Sequence, residues 1–414
     1  MLNIKIEEGK NKITLKSIRS MKVVNDLINI FNQYKNINNK NFVLDFSELS
    51  SRAFPPTLVS IAGISDYYRE KYGFNIEFIT KKNKYFTHTS TESPIPVSNN
   101  GITNIENIFD QVITFSSDKD VSFISNAITN YLKTNISCEE GVLIGLSWCM
   151  NEVMDNVLWH SEVSKGYFMS QIHKENKLIS ISIYDNGIGL LNSINSSKQY
   201  FEKTDVDAIR RVIEKGVTCD PEIGQGNGLW GLYQIVKDSH GYMTIKTGST
   251  KIEFNFKDSK ENVSLNNAYL DSHNKGTRVD FTLKFNQLID VSKALDNYIP
   301  LEWVSMELEE MLTETNWIDL IISEKAKGGT GTRASGKDIR LYTLNTAKLS
   351  SYPILLDFLN IDVISSSFAD EFIGKLAADI GIIEFTNHFK IINANDFVKG
   401  LLNKAIAERI KQKV

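Results

Sequence analysis

In the segment MNEVMDNVLWHS, a carboxylate and a carboxamide stand four residues apart, at Glu152 and Asn156. Apolar Leu146, Met150, Val153 and Val157 recur at helical spacing and mark a buried face, so Glu152 and Asn156 project together from one helix beside that face. A carboxylate so placed can orient or deprotonate a water, and an amide oxygen suits a hard cation such as Mg2+. Three short motifs follow. YDNGIG sets Asp185, Gly187 and Gly189 at the end of an apolar strand, GQGNGLWG sets Gly224, Gly226, Gly228 and Gly231 before a helix, and KGTRVDFTL sets Gly276 and Thr277 at the start of a strand. Singly, each reads as a turn, a helix start or a strand entry. In this order they converge on a nucleotide. A strand-end Asp accepts a hydrogen bond from an exocyclic amine such as adenine N6, and nearby glycines let the backbone approach the ring. Glycines before a helix free backbone N–H groups for phosphate oxygens.

The elements that must position these residues follow from periodicity. A helix ahead of Ile136, the helix around Glu152, strands GYFMSQIH and KLISISIYD, helix LWGLYQIVKDS, and strands GYMTIKTG and TRVDFTLKF predict an α/β layer with helices on one sheet face. Before it come a helix over Met21–Tyr34, a buried strand in NFVLDFSELS, a helix in TLVSIAGISDYYREKYG and a strand FNIEFIT. The polar stretch KKNKYFTHTSTESPIPVSNN reads as a linker or surface loop. After Phe285, NQLIDVSKALDNYIPLEWVSMELEEML reads as a connecting helix, and strand YPILLDFLNIDVI, helix SFADEFIGKLAADIG, strand FKIIN and a final helix close the chain. FVLDFSEL and ILLDFLNI share one pattern, an apolar strand running into Asp-Phe, then a turn and a helix, which predicts a shared architecture on both flanks.

The central segment resembles the GHKL ATPases over about two-fifths of the chain. NEVMDNVLWHS looks like their N box, DNGIG the first glycine box, GQGNGLWG the second, and GT the closing Thr motif. The resemblance implies a Bergerat α/β sandwich in which Glu152 is the general base, Asn156 coordinates Mg2+, Asp185 reads adenine and Thr277 supports Asp185. Gly187 and Gly189 belong to the adenine side, and Gly224, Gly226, Gly228 and Gly231 to an ATP lid around Ala208–Gly231. Asp155 reads as a supporting residue, and His160 as a packed helix-end histidine. The implied cofactors are ATP and Mg2+.

The C-terminal ILLDFLNIDVISSSFADEFIGKL resembles STAS-type domains, in which a serine at a helix start can receive phosphate; Ser366 and Ser367 stand at that place as candidate acceptors. Ser365 and Phe368 depart from the Asp-Ser-Ser-Gly pattern, and Ser367 with Asp370 also fits a helix N-cap. The N-terminal LDFSELSSRAFPPTL, with Ser50 and Ser51, is a fainter counterpart. The expected layout is an α/β chain: a STAS-like domain over 1–115, a GHKL domain over 116–287, a helical connector over 288–316 and a STAS-like domain over 317–414. Two further motifs are decoys. GNGLWG matches G-x-G-x-x-G but does not follow the first strand of a βαβ unit. GTRASGKD puts Asp338 where a P-loop needs Ser or Thr, and the following IRLYTL reads as a strand.

Forty-six basic and 50 acidic residues among 414 give a net charge of −4, which argues against a generally electropositive nucleic-acid binder, so nucleic acid is not indicated as a partner. Three cysteines without a CxxC pair argue against a disulfide scaffold or a zinc site. No signal-peptide core and no membrane-length apolar run are evident, so the expectation is cytoplasmic. The expected activity is a nucleotide-driven conformational switch with ATP hydrolysis, in intracellular signalling or a stress or defence response. Protein partners would dock through the STAS-like domains, and a homodimer is expected by analogy. A serine/threonine kinase of the anti-sigma type, acting on a STAS domain in cis or in trans, and a non-hydrolysing scaffold are the alternatives.

Overall fold

The computed structural model describes all residues except 1–3, 8, 50–53, 81–85, 87, 98–107, 198, 218–227, 297–307, 309–310, 327, 351 and 414. It is a mixed α/β structure in two compact units. One comprises Met1–Ile128, Cys149–Lys284 and Lys293–Asn297, the other Thr129–Trp148, Phe285–Ser292 and Tyr298–Val414.

The first unit opens with β1 (Ile4–Glu7), β2 (Lys10–Thr14), α1 (Lys22–Tyr34), β3 (Asn41–Asp45), α2 (Pro55–Tyr72) and β4 (Asn75–Ile79). Its first sheet has the order β1-β2-β3-β4, with β2, β3 and β4 parallel. Helix α2 starts with Pro55 at a position that needs no N–H donor and stops at Gly73, whose φ of 67° is left-handed. From Thr57 to Ser65 it is buried on every side, as befits a helix packed between two sheets. Phe31, Phe42, Tyr68 and Phe74 pack on one side, and Tyr167, Met169 and Tyr184 of the next sheet belong to the same core. Gly63 permits that contact, because a Cβ there would lie 2.3 Å from Tyr184 Cε1.

The next sheet comprises β5 (Ile95–Pro96), β6 (Ile113–Phe115), β7 (Gly166–His173), β8 (Leu178–Asp185), β9 (Tyr242–Thr247), β10 (Thr250–Asn255), β11 (Lys260–Ser264) and β12 (Thr277–Lys284). Its order is β11-β10-β9-β12-β8-β7-β6-β5. Two helices expected from periodicity precede β7, α3 (Asp118–Asn135) and α4 (Val142–His160). Helices α5 (Leu190–Ser196), α6 (Asp205–Val212) and α7 (Gly228–Asp238) lie between β8 and β9. Register fixes two opposed rows. Tyr184 of β8, Arg278 of β12, Lys246 of β9 and Lys251 of β10 are paired neighbours across four strands. Asp185, Thr277 and Thr247 form the next row, and successive strand residues face opposite ways. The Tyr184 row meets α2, so this face is covered too, rather than helices lying on one face alone. The stretch read as a linker also contributes structure: Ile95–Pro96 pairs with Ile113–Thr114, and Thr89 and Thr91 are buried and bonded to each other at 2.8 Å. An edge strand tolerates its proline, which has no N–H to donate.

The second unit holds a parallel sheet of β13 (Ile318–Ile321), β14 (Ile354–Asp357) and β15 (Phe389–Ile392), in that order. Helices Arg333–Leu349 and Asp396–Lys413 and a helical run from Ser366 to Ile380 supply its core, with Leu356, Phe368, Phe372 and Leu376 fully buried. The helical run widens to a π turn at Asp370–Gly374.

One expectation is corrected here. IRLYTL is helical, inside Arg333–Leu349, because Thr332 caps the helix and Gly336, Ile339, Thr343 and Thr346 are buried at helical spacing. Gly336 is a packing glycine whose Cβ would approach the Phe368 carbonyl to 2.9 Å, so the decoy status of GTRASGKD now rests on Asp338 and on this contact. Of the expected connector over 288–316, Val291–Ala294 forms helix α8, and residues 297–307 and 309–310 lie outside the described residues. Left-handed Asp296 (φ 54°) follows that short helix. Asp45 and Asp357 each end the middle strand of a parallel trio. Each accepts the backbone N–H two residues on, Ser47 at 2.9 Å and Leu359 at 2.8 Å. The next residue, Phe46 or Phe358, donates to the end of the neighbouring strand, at Ile79 or Ile392.

Candidate nucleotide-type site

Glu152 and Asn156 lie half-buried on α4, above buried Met150, Val153, Met154 and Val157. Gly228, the first residue of α7, comes against both. A Cβ on it would stand 2.6 Å from Glu152 Oε2 and 3.6 Å from Asn156 Nδ2. The structure thus joins two of the sequence motifs in one place, and a side chain at 228 would have to displace the end of Glu152. Burial pushes the Glu152 carboxyl up to about 7, with the nearby Asp155 charge adding to it. Asp155 is itself raised to about 6, by burial and then by Asp118.

The second grouping surrounds Asp185. Its Oδ1 accepts the Gly187 N–H at 2.7 Å, and the Thr277 backbone also bonds to it. Burial dominates and lifts this carboxyl to about 7, while those two backbone bonds and Lys246 pull the other way. The DNGIG turn is fixed from three sides. Ile188 N–H donates to Ser161 O at the end of α4, Gly276 N–H donates to Gly187 O, and Asn186 donates to Gly63 O on α2. Gly189 has a left-handed φ of 80°, and its Cβ would stand 2.9 Å from Thr247 Oγ1. That hydroxyl accepts the Leu190 N–H at 2.9 Å.

Of the residues named from sequence, Glu152, Asn156 and Gly228 meet, and Asp185, Gly187, Gly189 and Thr277 meet. Gly231 lies buried inside α7, one turn beyond Gly228. Gly224 and Gly226 fall outside the described residues, as do Ser50 and Ser51. His160 is half-buried at the end of α4. Ser365, not Ser367, caps its helix by accepting the Phe368 N–H at 3.0 Å; Ser367 bonds to Ser365 Oγ at 3.0 Å, and Ser366 is exposed. The cap shifts because it must precede the first helical residue, Ser366. Sequence reading missed Thr247, whose signal was a small hydroxyl residue at the end of GYMTIKT, opposite the strand that begins at Thr277. Among the described residues no three His, Cys, Asp or Glu side chains gather to hold a metal, and no helix is long and apolar enough to cross a membrane.

Residues 335–399 match a family described as a STAS-like domain of unknown function (DUF4325), so the C-terminal unit carries a STAS-like domain. Comparison with curated proteins gives no match. Among solved structures, the mycobacterial sensor histidine kinase MprB aligns at 16% identity and a TM-score of 0.22, over 43% of this chain and 98% of that one. At that score the likeness carries no weight.

Proposed function

We propose that the chain binds ATP with Mg2+ at the Glu152–Asp185 region and hydrolyses it as a GHKL-type ATPase, using the nucleotide to switch the state of its STAS-like output module in a signalling or stress-response role. The observation that carries this reading is the contact of the Glu152 carboxylate with Gly228, which brings the helix-borne base to the start of α7. A helix start frees N–H groups for phosphate oxygens, and glycine at this one leaves the Glu152 carboxylate in place beside it.

The residues fit the cofactors. Asp185 is buried with backbone donors holding one edge, as suits an acceptor for an exocyclic amine. Asn156 offers one amide oxygen, and Mg2+ takes few protein ligands when phosphates and waters complete its shell. Bound ATP would supply the labile terminal phosphoryl group. Glu152 would orient a water and take its proton, and its raised pKa of about 7 places it near the optimum for a base at neutral pH. Gly187 and Gly189 keep the backbone open beside Asp185, and Thr277 and Thr247 brace that row. The N-terminal sheet and helices share a core with the large sheet, so in this reading they are part of the nucleotide-binding body.

The test is ATP titration by calorimetry with and without Mg2+. Binding is expected in the parent and lost in Asp185→Asn; equal binding by both proteins would refute the assignment. A kinase reading, with transfer to Ser366 or Ser367, is the second possibility, and it draws on the exposure of Ser366.

A further inference from the structure

We infer that the cleft between α1, α2 and the Tyr184 face of the large sheet is a binding site for a small oxyanion, a phosphate or a carboxylate group. The site lies on the face opposite Asp185. Its floor is the row Arg278, Lys246 and Lys251, three cations on three adjacent strands. Its walls include Met21, Asn25 and Ser60, and the cavity is small, about 20 Å³, room for a single small group.

The charges on the floor are unevenly matched. Arg278 Nε is held by Asp280 at 2.8 and 3.0 Å, and its guanidinium also meets Ser60 at 3.3 Å. Lys251 pairs with Glu253 at 2.9 Å. Lys246 is nine-tenths buried and lines the cleft, yet it makes no ion pair or side-chain hydrogen bond among the described residues. Asp205 and Asp185 act on it only at longer range, while burial and Arg278 hold its ammonium down to about 7. From α1 and α2 the lining is neutral: Met21, Val24, Asn25, Ile28, Ser60 and Ile64. Asn25 and Asn267 are bonded to each other at 3.0 Å and are not available to neutralise it. A buried ammonium beside a second cation is costly unless an anion joins them. An oxyanion bridging Lys246 and Lys251 supplies the missing charge and accepts their N–H donors.

The test is calorimetry on the full chain with inorganic phosphate and, separately, acetate as probes. At least one is expected to bind, and which one tells phosphate from carboxylate recognition. Affinity should fall at least tenfold in Lys246→Met and in Lys251→Gln, and stay within twofold in Lys404→Gln, an exposed lysine of the last helix. Should Lys246→Met fail to fold, Lys251→Gln decides. No binding of either probe at millimolar concentration, or binding kept in both Lys246→Met and Lys251→Gln, would overturn the site.

Discussion

The Glu152 carboxylate lies so close to the Gly228 α-carbon that a methyl group there would stand 2.6 Å from Oε2. Gly228→Ala must therefore push Glu152 aside. The variant is expected to keep its fold and lose turnover by about 100-fold, since a displacement near 1 Å of a catalytic group costs that much. Steady-state phosphate release with circular dichroism checks it, and a parental kcat in the folded variant would count against the role of this contact.

Glu152 works as a base only when ionised. With its carboxyl raised to about 7, the rate should climb as pH rises through about 7 and level off above. Glu152→Gln should lose about 10²–10⁴-fold in kcat and lose that rise. A flat profile from pH 5 to 8 in the parent would remove Glu152 from the mechanism.

Asp185 links pH to stability. Its folded carboxyl is raised from 3.8 to about 7 by burial. Below the lower value both folded and unfolded chains hold the proton and the contribution is complete. Between the two values the unfolded chain ionises first, and the contribution is lost as pH passes the folded value. Asp185→Asn sheds no proton, so it should gain on the parent by on the order of 1–3 kcal/mol at pH 8, with the gap closing toward pH 4. Urea melts at both pH values measure this, and a gap that widens on acidification would reverse the sign.

Arg278 and Asp280 form a buried pair, and Asp280 also accepts from Ser182 at 2.6 Å. Arg278→Met strands that carboxylate and should destabilise by about 3–5 kcal/mol, most of it recovered in Arg278→Met/Asp280→Leu. Denaturation midpoints decide, and equal losses in the single and double variants would show that packing, not charge, dominates there.

The strands and helices around the site were legible because burial imposes a period: Leu146, Met150, Val153 and Val157 marked α4, and alternation marked β8 and β12. The polar sheet row was not. Lys246 and Arg278 sit on strands whose other face is apolar, and only the register, which depends on distant pairing, places them beside each other under α2. IRLYTL misled for a related reason, since its run of β-branched and aromatic residues is buried on a helix whose cap, Thr332, lies several residues upstream. Ser365 displaced Ser367 as cap by a shift of two residues, a precision that pattern alone does not reach.

The most direct test of the account is the fate of the terminal phosphate. The full chain is incubated with Mg2+ and γ-labelled ATP beside Glu152→Ala and Asp185→Asn. The account predicts label released as free phosphate by the parent and by neither variant. Label retained on the protein at Ser366 or Ser367, or release unchanged in Glu152→Ala, would contradict it.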